Sequence, residues 1–299
     1  MTASTKKPLV ILFDLDDTLI LNPTSRALDS TLTQSGYPPL PPHLHALTTG
    51  YHSKLLVSTI HSWAHKHHKD PETPAPTYDH LWETYERIWH ERQHEITLRP
   101  GAKEVIETVA ADPELDIAIV TNTFLARAKR KTGMFPVLKD NFENNYRIVT
   151  LDHPYAVANA REVRRKPHPD LYQLALEVVN EERIHAGKEP AKPDDCLVFE
   201  DSIIGVKSGL SAGMRVVWNP VEVVRDLCRV LVEGKEKDLD HWEEKAEDEE
   251  MEKLKDHINL FGKENPGLHV VDTLEGFDWG RYGMETPTAS SVPTQPETV

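Results

Sequence analysis

Three carboxylates fall within four residues of the stretch FDLDDTLI, residues 13–20, where Asp14, Asp16 and Asp17 follow the apolar run LVILF. Unpaired charge beside a core is costly, so such a cluster calls for a cation or a reaction to hold it there. Where a strand gives way to a loop, residues i and i+2 can present both carboxylates to one substrate. One can attack phosphorus, and the other can protonate the leaving oxygen and then activate water. This assigns Asp14 as nucleophile and Asp16 as acid/base. The Asp17 side chain should point away from those of its neighbours, so it reads as a turn or capping residue. Thr18 reads as a brace for the same loop.

Further groups with matching chemistry lie far along the chain: Thr121-Asn122, Lys166 and Glu200-Asp201. A carboxylate and a phosphate repel each other, so attack needs positive charge. Mg²⁺, a hard ion with oxygen ligands, is the expected cofactor. The expected metal set is Asp14 and Asp201 through carboxylates, Asp16 through its backbone carbonyl, and Glu200 beside the ion or linked through water. Lys166 is expected to neutralise phosphate and nucleophile from the other side. The Thr121 hydroxyl and the Asn122 backbone N–H are expected to hydrogen-bond the phosphate oxygens.

To bring these groups together, the elements between them must form an open sheet. Short β-rich runs recur at 9–13, 117–120, 147–151, 196–199 and 214–218, and helical spacing at 102–111, 169–180 and 205–213 alternates with them. The pattern predicts an α/β fold with a doubly wound parallel sheet, helices on both faces, and ligands beyond the carboxyl ends of the strands. The rhythm breaks from about Leu21 to Leu98, where no strand-like run occurs and 81–96 is helical in spacing. Residues 21–98 are therefore expected to form an inserted helical domain, with PETPAPT at 71–77 as a loop between two of its helices. Ten of the sixteen histidines lie there, including HKHH at 65–68. An exposed histidine-rich helix face is the reading preferred to a metal cluster. The core is expected to occupy 1–20 and 99–283, with a last strand at 268–274 and an acidic insertion at about 233–257. Within 233–256, twelve acidic residues face five lysines, as on a solvated helix or loop. Residues 284–299, rich in Pro, Thr and Ser, are expected to be a disordered tail.

Composition narrows the function classes. A formal net charge of −15 argues against capture of a nucleic-acid polymer or an anionic membrane by the surface as a whole. A small anionic substrate stays open if the site supplies local cations. Of the two cysteines, Cys196 sits in the apolar run CLVF and reads as a buried thiol. No signal-peptide core and no membrane-length apolar run occurs, so the expected location is the cytoplasm, with the nucleus left open. Nothing in the sequence sets the oligomeric state.

Taken together, DLDDT at 14–18, IVTNT at 119–123, KPHPD at 166–170 and FEDSIIGV at 199–206 resemble the four ordered motifs of the haloacid-dehalogenase (HAD) superfamily, phosphatase type. The resemblance covers about residues 9–20 and 99–220, and the insert stands where that family carries a helical cap. It implies a HAD-like Rossmannoid core, Mg²⁺ dependence and an aspartyl-phosphate route, and the acid at Asp16 argues against dehalogenation. KPHPDLYQLAL, VFEDSIIGVKSGLSAGMRVVW and TLEGFDWGRYG are similar to phosphatases of the pseudouridine 5′-phosphatase type, especially fungal ones. Asp17 departs from that group, which usually carries glycine there, and DLDDT is common in the pyrimidine 5′-nucleotidases of the superfamily. GYHSKLL at 50–56 matches the cap's specificity loop in position, which makes His52 and Lys54 candidate readers of the leaving group. The expected function is hydrolysis of a small phosphate monoester, a nucleotide or sugar phosphate. The alternatives are a phosphomutase of the same superfamily or a non-catalytic binding protein on the same scaffold.

Overall fold

The computed structural model describes residues 6–142, 146–232 and 265–285. The acidic run at 233–257 and nearly all of the 284–299 tail lie outside them. The first strand, β1 (Val10–Phe13), is buried throughout. A tight loop leads to the two-residue β2 (Ile20–Leu21). Four helices follow: α1 (Thr24–Gln34), α2 (Pro42–Thr48), α3 (Ser53–His67) and α4 (Tyr78–Glu91). Their apolar positions recur at helical spacing, as in Leu28 and Leu32, Val57 and Ile60, or Leu81, Tyr85 and Ile88, and all of these are buried together. Thr77 caps α4 by accepting the His80 N–H at 3.2 Å, so the polar loop 71–77 ends where the helix begins.

The chain returns through β3 (Thr97–Leu98), antiparallel to β2 with Ile20 opposite Leu98. This corrects the expectation that no strand interrupts 21–98. A two-residue strand carries no periodicity, and its pairing is set by where the chain leaves and re-enters the core.

From there helices and strands alternate: α5 (Ala102–Ala110), β4 (Asp116–Val120), α6 (Leu125–Thr132), α7 (Pro136–Phe142), β5 (Ile148–Val149), α8 (Pro154–Ala158) and α9 (Asp170–His185). Then come β6 (Cys196–Glu200), α10 (Ile203–Ser211), β7 (Arg215–Trp218), α11 (Glu222–Val232) and β8 (Leu268–Val270). Six strands form one sheet in the order β5-β4-β1-β6-β7-β8, and every neighbouring pair is parallel.

Both faces of this sheet are covered. Ile11 and Phe13 pack with Val105, Ile106 and Val109 of α5 and with Leu138 and Phe142 of α7. Val10 and Leu12 point the other way, onto Leu171, Ala175 and Val179 of α9. Successive strand side chains alternate between faces, so a strand apolar at every position needs cover on both. The architecture is therefore α/β and doubly wound. Cys196 is a buried free thiol. Among the described residues no helix is long and apolar enough to cross a membrane.

Candidate active site

β1 lies at the centre of the sheet between β4 and β6, with Phe13 level with Ile119 on one side and Phe199 on the other. The loops after these three strands therefore emerge together, at the point where successive connections diverge to opposite sides of β1. Asp14 continues the ladder for one more bond, its N–H donating to the Phe199 carbonyl at 2.9 Å. The chain then turns tightly: Asp17 has φ of 62° and donates its N–H to the Ile20 carbonyl at 2.7 Å. The position that the resemblance gives to glycine is thus left-handed, a region that Asp tolerates better than most side chains. Asp17 Oδ1 accepts the Asn22 N–H at 3.2 Å, as expected of a turn residue. Thr18 braces the loop, donating from Oγ1 to Asp201 Oδ1 at 3.1 Å.

Lys166 reaches the same edge from the loop between α8 and α9. Its ammonium donates to Asp14 Oδ1 at 2.7 Å, to Glu200 Oε1 at 2.7 Å and to the Val120 carbonyl at 2.6 Å. Asn122 Oδ1 anchors the Lys166 backbone by accepting its N–H at 3.0 Å. Glu200 is fully buried and also accepts from Tyr172 Oη at 2.6 Å and from Ser202 Oγ at 3.2 Å. Ser202 in turn caps α10, accepting the Gly205 N–H at 3.1 Å. A Cβ on Gly205 would lie 2.0 Å from the Glu200 carboxylate, so only glycine leaves room for that side chain.

Asp14, Glu200 and Asp201 each offer an oxygen within 4.8 Å of the others. Burial pushes the Asp14 carboxyl up to about 8, against the opposing pull of Lys166. Asp201 is raised well above its ordinary value by burial and then by the charges of Asp14 and Glu200. Burial alone would lower the Lys166 ammonium, but Asp14 and Glu200 outweigh it and raise the group. One ammonium among three buried carboxylates leaves the cluster short of positive charge. Asp201 Oδ2 is buried without a hydrogen-bond partner among the described residues. An orphaned oxygen in an all-oxygen cluster fits a hard divalent cation.

The Asp16 side chain stands apart from this cluster. Its Oδ1 accepts from Lys131 Nζ at 2.5 Å and Asn22 Nδ2 at 3.0 Å, and its Oδ2 accepts from Thr123 Oγ1 at 2.8 Å. That leaves the Asp16 backbone carbonyl, and not its carboxylate, as the atom the metal expectation concerns.

Asp14, Asp16, Thr121, Asn122, Lys166, His52 and Lys54 all line one cavity of about 370 Å³. The segment carrying His52 and Lys54 comes close to the sheet edge: Asn122 Nδ2 donates to the Gly50 carbonyl at 3.2 Å. Gly50 has φ of 84°, and a Cβ there would meet Ser202 Oγ at 2.7 Å. Burial, then Arg165 and Lys54, lowers the His52 imidazole and keeps it neutral near pH 7. The histidines of HKHH, at the end of α3, make local bonds. His67 Nδ1 bonds the Trp63 carbonyl at 2.8 Å and His68 bonds Tyr37 Oη at 2.7 Å, so HKHH forms a helix end with these ring nitrogens taken up locally.

Several residues at the site carried no mark in the sequence. Lys131, Tyr172 and Arg99 are buried, and each reaches a site residue from another element. The Arg99 guanidinium donates to the Asp17 carbonyl and, at 3.1 Å, to the Pro220 carbonyl. Within LARAKRKT no spacing or composition separates Lys131 from the other cations of α6.

The sequence model for haloacid dehalogenase-like hydrolases matches residues 9–213 of this chain. An uncharacterized protein of Schizosaccharomyces pombe is 28% identical over 229 residues, spanning 76% of this chain and 86% of its own length. The Saccharomyces cerevisiae protein named "Probable pseudouridine-5'-phosphatase" is 36% identical over 121 residues, 40% of this chain and 46% of that protein. Among solved structures, a HAD hydrolase (family IA, variant 3) of Entamoeba histolytica has the same fold, with a TM-score of 0.53 at 21% identity. The match covers 84% of this chain and 99% of that one.

Proposed function

The chain belongs to the haloacid dehalogenase-like hydrolases and is a phosphatase of phosphorylated small molecules, and we propose that it works through a phosphorylated Asp14 with Mg²⁺ as cofactor. The observation that carries this reading is the buried cluster in which Lys166 bonds both Asp14 and Glu200 while Asp201 keeps an oxygen unpartnered among the described residues.

An Asp14 carboxylate oxygen attacks phosphorus while the bond to the leaving oxygen breaks. Asp16 gives its proton to that oxygen, and the alcohol departs. Asp16, now anionic, takes a proton from water as the water oxygen attacks phosphorus. The Asp14–phosphorus bond breaks, and Asp14 is restored as inorganic phosphate forms. Lys166 neutralises the nucleophile and phosphate together, and the Thr121 hydroxyl and the Asn122 backbone N–H bind phosphate oxygens. Asp14 and Asp201, with the Asp16 carbonyl, are the residues that would hold Mg²⁺, which when bound supplies charge stabilisation to the transferring phosphoryl group. Glu200 acts through Lys166, because its own oxygens already accept from Lys166, Tyr172 and Ser202.

Residues 21–98 serve as a cap over the cavity, and His52 and Lys54 contact the leaving group. The cavity volume suits a nucleotide or sugar phosphate. The test is a released-phosphate screen of nucleoside monophosphates, sugar phosphates and simple alkyl phosphates, with Mg²⁺ and with chelator, on wild type and Asp14→Asn. Turnover that requires both Mg²⁺ and Asp14 is expected. Turnover that survives Asp14→Asn would remove Asp14 as nucleophile, and an isomerised sugar phosphate without free phosphate would identify a mutase.

A further inference from the structure

We propose that Lys131 positions Asp16 for proton transfer, and that α6 links this contact to the helices covering the cavity. The inference rests on the reading of Asp16 as acid/base.

Lys131 is only 5% exposed, yet its ammonium lies 2.5 Å from Asp16 Oδ1. Asn22 and Thr123 supply the other donors, so three side chains from three different segments fix both Asp16 oxygens. A buried ammonium is costly without a partner, and here the partner is the residue that must hand over and recover a proton. When Asp16 has given its proton to the leaving oxygen it is an anion. Lys131 stabilises that anion and keeps it aimed for the water step, which raises the fraction of productive geometries.

The same helix holds the cover. One turn before Lys131, Arg127 donates to Ser53 Oγ at 2.8 Å and to the two Glu86 carboxylate oxygens at 3.0 and 2.9 Å. Arg127 lies 4.7 Å and Lys131 5.6 Å from the centroid of the same ring, Trp89. Glu86 and Trp89 belong to α4 and Ser53 to α3, so α6 grips the covering helices with one cation and the acid/base with the next. Neither cation lies in any of the four sequence motifs.

The experiment compares kcat/KM for p-nitrophenyl phosphate with that for the alkyl phosphate turned over fastest in the screen above. kcat/KM reports events only through departure of the leaving group, and p-nitrophenolate departs without help from an acid. Asp16→Asn, Lys131→Met, Lys131→Arg and Glu86→Gln are measured in the full chain. Asp16→Asn and Lys131→Met should both lose more on the alkyl ester, by about 10- to 100-fold for Lys131→Met, with Lys131→Arg recovering part of the loss. Glu86→Gln, a change at a partly exposed residue that keeps the fold, should show the same asymmetry at smaller size. Equal losses on both esters in Lys131→Met, while Asp16→Asn discriminates between them, overturn the inference. Should Lys131→Met not fold, a symmetric or absent effect in Glu86→Gln overturns it. If Asp16→Asn itself does not discriminate, the reading of Asp16 as acid/base is what fails.

Discussion

The Tyr172 hydroxyl donates to Glu200 Oε1 at 2.6 Å, and the same oxygen receives the Lys166 ammonium at 2.7 Å. The Tyr172 ring also lies 4.9 Å from that ammonium, centroid to Nζ. Burial, reinforced by the Glu200 charge, raises the phenol well above its ordinary value, so it stays a donor at every working pH. Tyr172 thus sets where Glu200 and Lys166 sit.

Tyr172→Phe should keep the ring and lose only the donor to Glu200. A hydrogen bond to a charged group is worth about 1.5–3 kcal/mol, so a loss of roughly 10- to 100-fold in kcat/KM is expected. The loss should appear mainly in KM and in inorganic-phosphate inhibition if Lys166 contacts phosphate as proposed. An unchanged inhibition constant for phosphate would mean that Tyr172 only fills space.

Gly205→Ala should be severe for a surface-invisible reason. The new methyl would lie 2.0 Å from the Glu200 carboxylate, which is buried and already held by Lys166 and Tyr172. Neither can give way cheaply, so the expected cost is about 1–3 kcal/mol in denaturant unfolding, together with loss of activity. A variant as stable and active as wild type would show that Glu200 has another place to go.

The parts of this picture that were legible in the sequence share a cause. VILF, AIV, CLVF and VVW are buried on both faces, so they read as continuous apolar runs whatever the neighbouring strand. The convergence of the candidate residues after β1, β4 and β6 was legible because a parallel sheet brings its carboxyl ends together. RIVTL was overestimated: only Ile148–Val149 pair, and Arg147 instead bonds Asp116 and Glu182. Lys131 was not legible, because in LARAKRKT it is chemically identical to exposed Lys129 two residues earlier. Only packing against Trp89 and Asp16 distinguishes them. Tyr172 and Arg99 escaped notice for the same reason.

Asp17 offers a test of backbone against chemistry. Its φ of 62° suits glycine, and burial pushes its carboxyl up to about 6, so its charge is a burden near neutral pH. Asp17→Gly should retain most activity and stay within about 1 kcal/mol of wild type in stability. Asp17→Val should lose at least about 1–2 kcal/mol, because a β-branched residue resists this conformation. Loss of turnover in a well-folded Asp17→Gly would give Asp17 a part in the chemistry.

A divalent cation should stabilise the protein more at alkaline than at acidic pH. Asp14 is raised in the folded state from an ordinary 3.8 to about 8, and Asp201 is raised as well. A carboxyl raised on folding keeps its proton after the unfolded chain has lost it. Its contribution to stability is therefore complete below the unfolded value and is lost as pH climbs through about 8. Mg²⁺ bound at these oxygens would compete with those protons, so its benefit would run in the opposite direction. At a hundredfold excess over Kd it should add about 2.7 kcal/mol once the carboxyls are free to bind it. Scanning calorimetry at about pH 5 and about pH 8, with chelator or with Mg²⁺, should show a large rise in Tm at the higher pH and a small one at the lower. Asp201→Asn removes one buried charge from the cluster, so it should raise the chelator Tm at the higher pH and abolish most of the Mg²⁺ response. A response equal at both pH values, or one that survives Asp201→Asn intact, would mean that the orphaned oxygen of Asp201 does not face the metal.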